Sequence, residues 1–123
     1  MDKIISAIKA MVENPSKISE VSVATNAEIE EYFFRYAGKY VWSVMKSGVG
    51  YNLYFYRIPD ADIKQLADTP SSVLPDNQYI SYSTKEYLGS SQWFEALYKI
   101  VKDKYLNMDK VFDDIIGDSE VQF

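Results

Sequence analysis

Two neighbouring runs constrain this chain more than any other feature: Lys39 to Lys46 and Tyr51 to Pro59 are dense in Tyr, Val, Trp and Phe, with only Ser47-Gly48-Val49-Gly50 between them. Aromatic and β-branched side chains suit a pleated surface, and a short glycine-bearing break between two such runs predicts an antiparallel hairpin. With those four residues as the loop, Lys46 faces Tyr51 and Val44 faces Leu53. Period-two alternation then fixes both faces. One carries Tyr40, Trp42, Val44, Leu53 and Phe55. The other carries Val41, Ser43, Met45, Asn52, Tyr54 and Tyr56. The first is the more apolar and is expected to take the helices.

The remaining elements follow from periodicity and punctuation. Ile4, Ile5, Ile8, Met11 and Val12 recur at helical spacing over residues 2 to 13, and Asn14-Pro15-Ser16 ends that helix. Residues 19 to 23 read as a short edge strand. Thr25-Asn26-Ala27-Glu28 resembles a capping box, with Ile29, Phe33 and Tyr36 on one face of a second helix and Gly38 as its stop. The aromatic richness of 26 to 37 keeps a strand as the main alternative. Pro59-Asp60-Ala61-Asp62 opens a short helix through Ile63, Leu66 and Ala67 that stops at Thr69-Pro70, with Asp60 the expected cap. Residues 78 to 84 alternate as another half-buried strand. Ser90 or Ser91 caps a long helical region in which Phe94, Leu97, Val101, Tyr105, Met108, Phe112 and Ile115 hold core-facing spacing. Asn107 divides that region, and Gly117 ends it. The order has no repeat and no βαβ alternation, so it predicts α+β: one domain over 1-123, a small antiparallel sheet of the hairpin 39-46/51-58 plus strand 78-84, N- and C-terminal helices, and a frayed acidic tail at 118-123. A chain of 123 residues buries enough surface to need neither disulfide nor structural metal.

Two absences limit the chemistry. The sequence contains neither cysteine nor histidine, which removes thiolate nucleophiles, Ser-His-Asp triads, imidazole bases and Cys/His zinc sites. Lack of cysteine fits a reducing compartment, and the charges at Asp2, Lys3 and Lys9 break any signal-like apolar run, so a soluble cytoplasmic protein without a membrane span is expected. Gly48-Val49-Gly50 precedes a strand and not a helix, unlike phosphate-binding loops. Asp60 and Asp62 are followed by Lys64 where a calcium loop needs an oxygen ligand. Asp109, Asp113 and Asp114 place carboxylates one turn apart, and Glu28 with Glu31 form a second pair, but nothing marks another element to complete a metal or acid-base site. No cofactor or metal is therefore expected.

Net charge is −5, from 13 basic and 18 acidic residues. That balance disfavours binding to nucleic acid through phosphates. Asp109, Asp113, Asp114, Asp118 and Glu120 against Lys110 supply −4 of it. Tyrosine supplies 11 of the aromatic side chains, and the second hairpin face mixes Tyr54 and Tyr56 with Ser43, Met45 and Asn52, joined by Ser81 and Ser83. Tyr, Ser and Asn together are typical of protein-binding surfaces. The sequence therefore predicts a non-enzymatic, acidic protein-binding module of the inhibitor, immunity, anti-defence or chaperone type. It would use that face and the acidic C-terminal helix, through Asp113 and Asp114, against a protein with a basic surface. The alternative is a small-ligand-binding domain with a tyrosine-lined pocket between sheet and helix.

Overall fold

The computed structural model describes residues 2–24, 30–48, 50–69, 78–87 and 89–121, with backbone alone at 108, 109 and 119–121. The fold is α+β. Five strands, β1 (Ile18–Val23), β2 (Glu31–Tyr36), β3 (Tyr40–Ser47), β4 (Gly50–Tyr56) and β5 (Tyr79–Ser83), form one antiparallel sheet in sequence order. Helices α1 (Lys3–Glu13) and α3 (Ser91–Leu106) cover one face, α2 (Ile63–Asp68) covers part of the other, and α4 (Met108–Val121) follows α3. Among the described residues no helix is long and apolar enough to cross a membrane.

The hairpin register is the expected one. Lys46 pairs with Tyr51, Val44 with Leu53 and Ser43 with Tyr54, and the ladder extends to Ser47 opposite Gly50. Gly50 is required by its neighbour: a Cβ there would stand 2.5 Å from Thr84 Oγ1, the atom that accepts from Tyr51 N at 3.2 Å. β5 continues the same parity, with Ser81 opposite Tyr54 and Ser83 opposite Asn52.

The second expected helix is a strand. Residues 31 to 36 pair along β3 from Glu31 opposite Met45 to Tyr36 opposite Tyr40. The proposed capping box of Thr25 and Glu28 lies outside the described residues. Gly38 does not stop a helix. It follows Ala37 in the β2–β3 turn, both at positive φ (69° and 55°), and Lys39 N bonds to Tyr36 O, the pattern of a type I′ hairpin turn. Tyr32, Phe33 and Phe34 are all buried, because this strand is covered on both sides, and such a strand loses the alternation that marks a half-exposed one.

Ile5, Ile8 and Met11 of α1 and Phe94, Leu97, Tyr98 and Val101 of α3 close over Tyr32, Phe34, Val44 and Leu53 to make the main core. A smaller core beneath α2 gathers Phe33, Val41 and Tyr56 with Ile63, Leu66 and Ala67. The cap of α2 is Asp62, not Asp60: its carboxylate accepts from Gln65 N at 3.1 Å. α3 ends at Asn107, whose left-handed backbone (φ 55°, ψ 45°) starts a new helix. Two expectations about the C-terminal helical region need correction. Gly117 does not end it, since it runs to Val121. Phe112 and Ile115 do not face the core, being 53% and 62% exposed, Tyr105 meets only its edge at Tyr32 and is 43% exposed, and the Met108 side chain lies outside the described residues.

Candidate functional site

The seven sheet residues singled out from sequence share one face, but they differ in access. Ser43 is fully buried and Tyr56 nearly so, because α2 lies across their end of the sheet, so these two offer nothing to a partner. Met45, Asn52, Tyr54 and Ser83 are partly buried, and Ser81 is exposed. The accessible remnant is a narrow polar strip along β4 and β5.

Beneath that strip runs a hydrogen-bond chain across three strands. Ser43 Oγ donates to Glu31 Oε2 at 2.7 Å, and Ser43 Oγ and Tyr56 OH are 2.8 Å apart. A hydroxyl has one proton to give. Ser43 spends it on the carboxylate, so Tyr56 is the donor to Ser43. Burial pushes the Glu31 carboxyl above its ordinary value, and the Ser43 bond opposes that shift. Burial likewise raises the Tyr56 phenol, with the Glu31 charge adding to it, and Tyr54 is raised by the same two causes in the same order. Tyr79 closes the cluster against Tyr54 and Tyr56, with ring centroids 6.0 and 6.2 Å away. Every polar partner is internal. The chain therefore fixes the strands β2, β3 and β4 to one another.

Sequence reasoning paired Glu31 with Glu28 on the expected second helix and so missed its place in this hydrogen-bond chain. The missing signal was the strand period, which puts Glu31, Phe33 and Arg35 on one face. Arg35 is equally occupied. Its Nε donates to Glu20 Oε2 at 2.6 Å, and its two terminal nitrogens donate to the carbonyls of Pro59 and Ala61, tying the loop before α2 to the sheet. On the opposite face Tyr98 OH donates to Glu30 Oε2, which Lys102 Nζ also reaches at 3.1 Å. The Tyr98 bond is the main reason the Glu30 carboxyl lies below its ordinary range. Tyr32 packs against Tyr98 and Tyr105 at 5.8 and 5.5 Å, and its phenol is pushed up to about 12, chiefly by burial. Much of the tyrosine content thus serves the seams between elements.

Asp113 and Asp114 are exposed, but they stand apart from the sheet strip, on α4, which follows α3 directly. Their own surroundings are the more informative ones. Among the described residues eight large hydrophobic side chains are exposed, and six of them lie between Tyr105 and Ile116: Tyr105, Leu106, Val111, Phe112, Ile115 and Ile116. At 100° per residue, Val111, Ile115, Phe112 and Ile116 occupy an arc of about 140° of α4. Asp113, Asp114 and Asp118 fall outside that arc. Phe112 also borders a groove of about 720 Å³ whose other walls include Ile18 and Val21 of β1 and Ile100 and Tyr105 of α3. Among the described residues no three carboxylates converge as a metal site would require. No family model matches the chain, and no curated protein or solved structure is significantly similar to it.

Proposed function

We propose that this protein is a non-enzymatic binding module of the cytoplasm, and that its partner is a protein carrying a basic amphipathic segment that docks along α4 and the adjoining groove. The observation that carries this reading is the concentration of exposed apolar side chains between Tyr105 and Ile116. Single exposed hydrophobes are ordinary on any surface, whereas a contiguous row on one helix costs solubility and is kept where something covers it. A helix of 14 residues is about 21 Å long, enough to lie beside a partner helix over four turns.

Charge selects the occupant. The segment from Asp109 to Phe123 carries five acids and one lysine, so two copies of α4 brought together would repel, while a cationic partner gains on approach. The groove itself is balanced, Asp103 standing against Lys104 and Glu20 being paired with Arg35, so the acids of α4 carry the selection. Lack of cysteine and histidine supports a binding role over the common catalytic chemistries, and lack of cysteine supports a reducing compartment.

The test uses a synthetic Leu/Lys helix peptide and a Leu/Glu peptide of the same apolar pattern, titrated into the protein by fluorescence anisotropy at low and high salt. The basic peptide should bind at least tenfold tighter, weaken with salt, and lose at least tenfold in F112S/I115S, whose melting temperature should match that of the unaltered protein because both side chains are exposed. Equal affinity for both peptides, or unchanged binding by the variant, would overturn the reading. So would sedimentation showing a stable dimer that F112S/I115S dissociates.

A further inference from the structure

A second open surface lies between the C-terminal half of α1 and the sheet, and it shares no residue with the groove beside α4. Ala7, Ala10 and Met11 of α1 form one wall of a cleft of about 350 Å³, and Tyr36, Tyr40, Trp42, Phe55 and Tyr82 from the sheet form the other. The small alanines leave the helix standing off the sheet here, where Ile5 and Ile8 elsewhere on α1 close the gap. The volume matches the lower end of small-molecule sites.

Three features define what fits. None of the eight lining side chains is charged. Lys9, on the same helix, holds its ammonium over the Trp93 ring, 4.7 Å from the centroid. The sheet wall is aromatic, with the Trp42 and Phe55 rings 4.8 Å apart. The remaining two exposed large hydrophobes of the molecule's described residues belong here as well: Tyr40 lines the cleft, and Ile80 stands opposite Phe55 in the ladder. Finally, the buried Nε1 of Trp42 has no hydrogen-bond partner among the described residues. A buried donor without an acceptor is rare and costly.

We propose that this cleft binds a neutral, flat ring compound bearing one hydrogen-bond acceptor, with the rings of Trp42 and Phe55 against its body and Trp42 Nε1, after a turn of the indole edge, donating to its acceptor. Aromatic walls favour a planar guest by offset or edge-on stacking. The absence of charge from the lining disfavours an ionised one, which would lose hydration without gaining a counter-charge.

The probe is phenylnaphthylamine, a neutral dye that brightens in apolar sites, displaced by quinoline or by naphthalene, which share a shape and differ in one acceptor nitrogen. The dye should bind saturably, one per chain. Ala10→Phe, on an exposed position of α1, should fill the cleft and weaken the dye at least tenfold without changing the melting temperature. Quinoline should displace the dye at about fivefold lower concentration than naphthalene, the factor expected of one neutral hydrogen bond, and Trp42→Phe should erase that difference. In nitrogen-edited spectra quinoline should move the Trp42 indole resonance and leave that of Trp93 in place. F112S/I115S should bind the dye like the unaltered protein, which separates this site from the α4 surface. Non-saturable binding, full binding by A10F, loss of binding in F112S/I115S, or equal displacement by quinoline and naphthalene would each overturn the proposal.

Discussion

The Ser43 hydrogen-bond chain predicts an order of severity that hydrophobicity alone would reverse. Tyr56→Phe removes the outermost donor of the chain and leaves Ser43 still donating to Glu31. No group is stranded, so the cost should be about 1 kcal/mol, the net worth of one hydrogen bond. Ser43→Ala changes fewer atoms, yet it strands two groups. The Tyr56 hydroxyl, on a nearly buried ring, loses its acceptor, at about 1–3 kcal/mol, and Glu31 loses a charge-assisted bond of about 1.5–3 kcal/mol. Glu31 is only partly buried and recovers some hydration, so the sum should sit near the low end, about 3 kcal/mol. A pH dependence follows. The Ser43 bond holds the Glu31 carboxyl down against burial, so removing it raises the folded-state pKa further, and the extra penalty is felt only where Glu31 is ionised. The deficit of S43A should therefore shrink to about 2 kcal/mol as the pH falls towards 4.5, the ordinary carboxyl value. Urea melts followed by tryptophan fluorescence at several pH values measure all of this. If Y56F costs more than S43A, or the S43A deficit does not shrink in acid, the assigned proton order is wrong.

Glu30 and Glu31 should respond to acid with opposite signs. Glu31 has a raised folded pKa, so it penalises the fold above that pKa, and E31Q should be the more stable at neutral pH with its advantage fading towards pH 4.5. Glu30 has a lowered one, so its stabilisation is complete above 4.5 and lost as pH falls through the folded value, and E30Q should be the less stable at neutral pH with its deficit fading in acid. Arg35→Ala should cost about 2–3 kcal/mol by releasing two carbonyls and the Glu20 contact, and hydrogen exchange should show α2 opening first. Arg35→Lys should recover only part, because one ammonium cannot reproduce the guanidinium fork. Ala37→Asn should stabilise by about 1 kcal/mol in the same melts, since Ala37 sits at φ 55° where Asn is tolerated better. Tyr56→Ala should cost about 3–5 kcal/mol as a core truncation, and Tyr54→Ala clearly less.

The hairpin was legible because a short loop and a strict alternation leave one register open, and every cross-strand pair from Val41 to Lys46 follows from it. β2 was misread for a physical reason. Ile29, Phe33 and Tyr36 have helical spacing, and the consecutive aromatics at 32 to 34 hide the period of two, because one face of the strand meets α1 and α3 and the other meets α2. The same unforeseen cover accounts for Ser43 and Tyr56. Their parity on the less apolar face was right, and their exposure was not, since six residues of α2 reach across from a segment whose sequence marks a helix but not its destination.

The C-terminal region exposes a different limit. From Phe94 to Ile115 the apolar spacing is nearly uninterrupted, and up to Val101 those side chains are buried. Beyond it the pattern persists while burial ends. Periodicity states which side of a helix is apolar, and burial depends on whether a surface remains to receive it. Here α1 and α3 up to Val101 already cover Tyr32, Phe34, Val44 and Leu53 of the sheet, and the left-handed residue Asn107 redirects the chain. Had α4 simply lacked a receiving surface, ordinary solvation would favour polar side chains along it, and residues 113, 114 and 118 show that the helix carries acids readily. Large apolar side chains are instead kept at 111, 112, 115 and 116, with Asp113 and Asp114 well outside their arc and Asp118 at its edge. Under the proposed reading, that division is met by a surface that is apolar at its centre and cationic at its margins, whereas a second copy of α4 would set acids against acids. On that reading it is the partner that closes the hydrophobic row left exposed between residues 111 and 116.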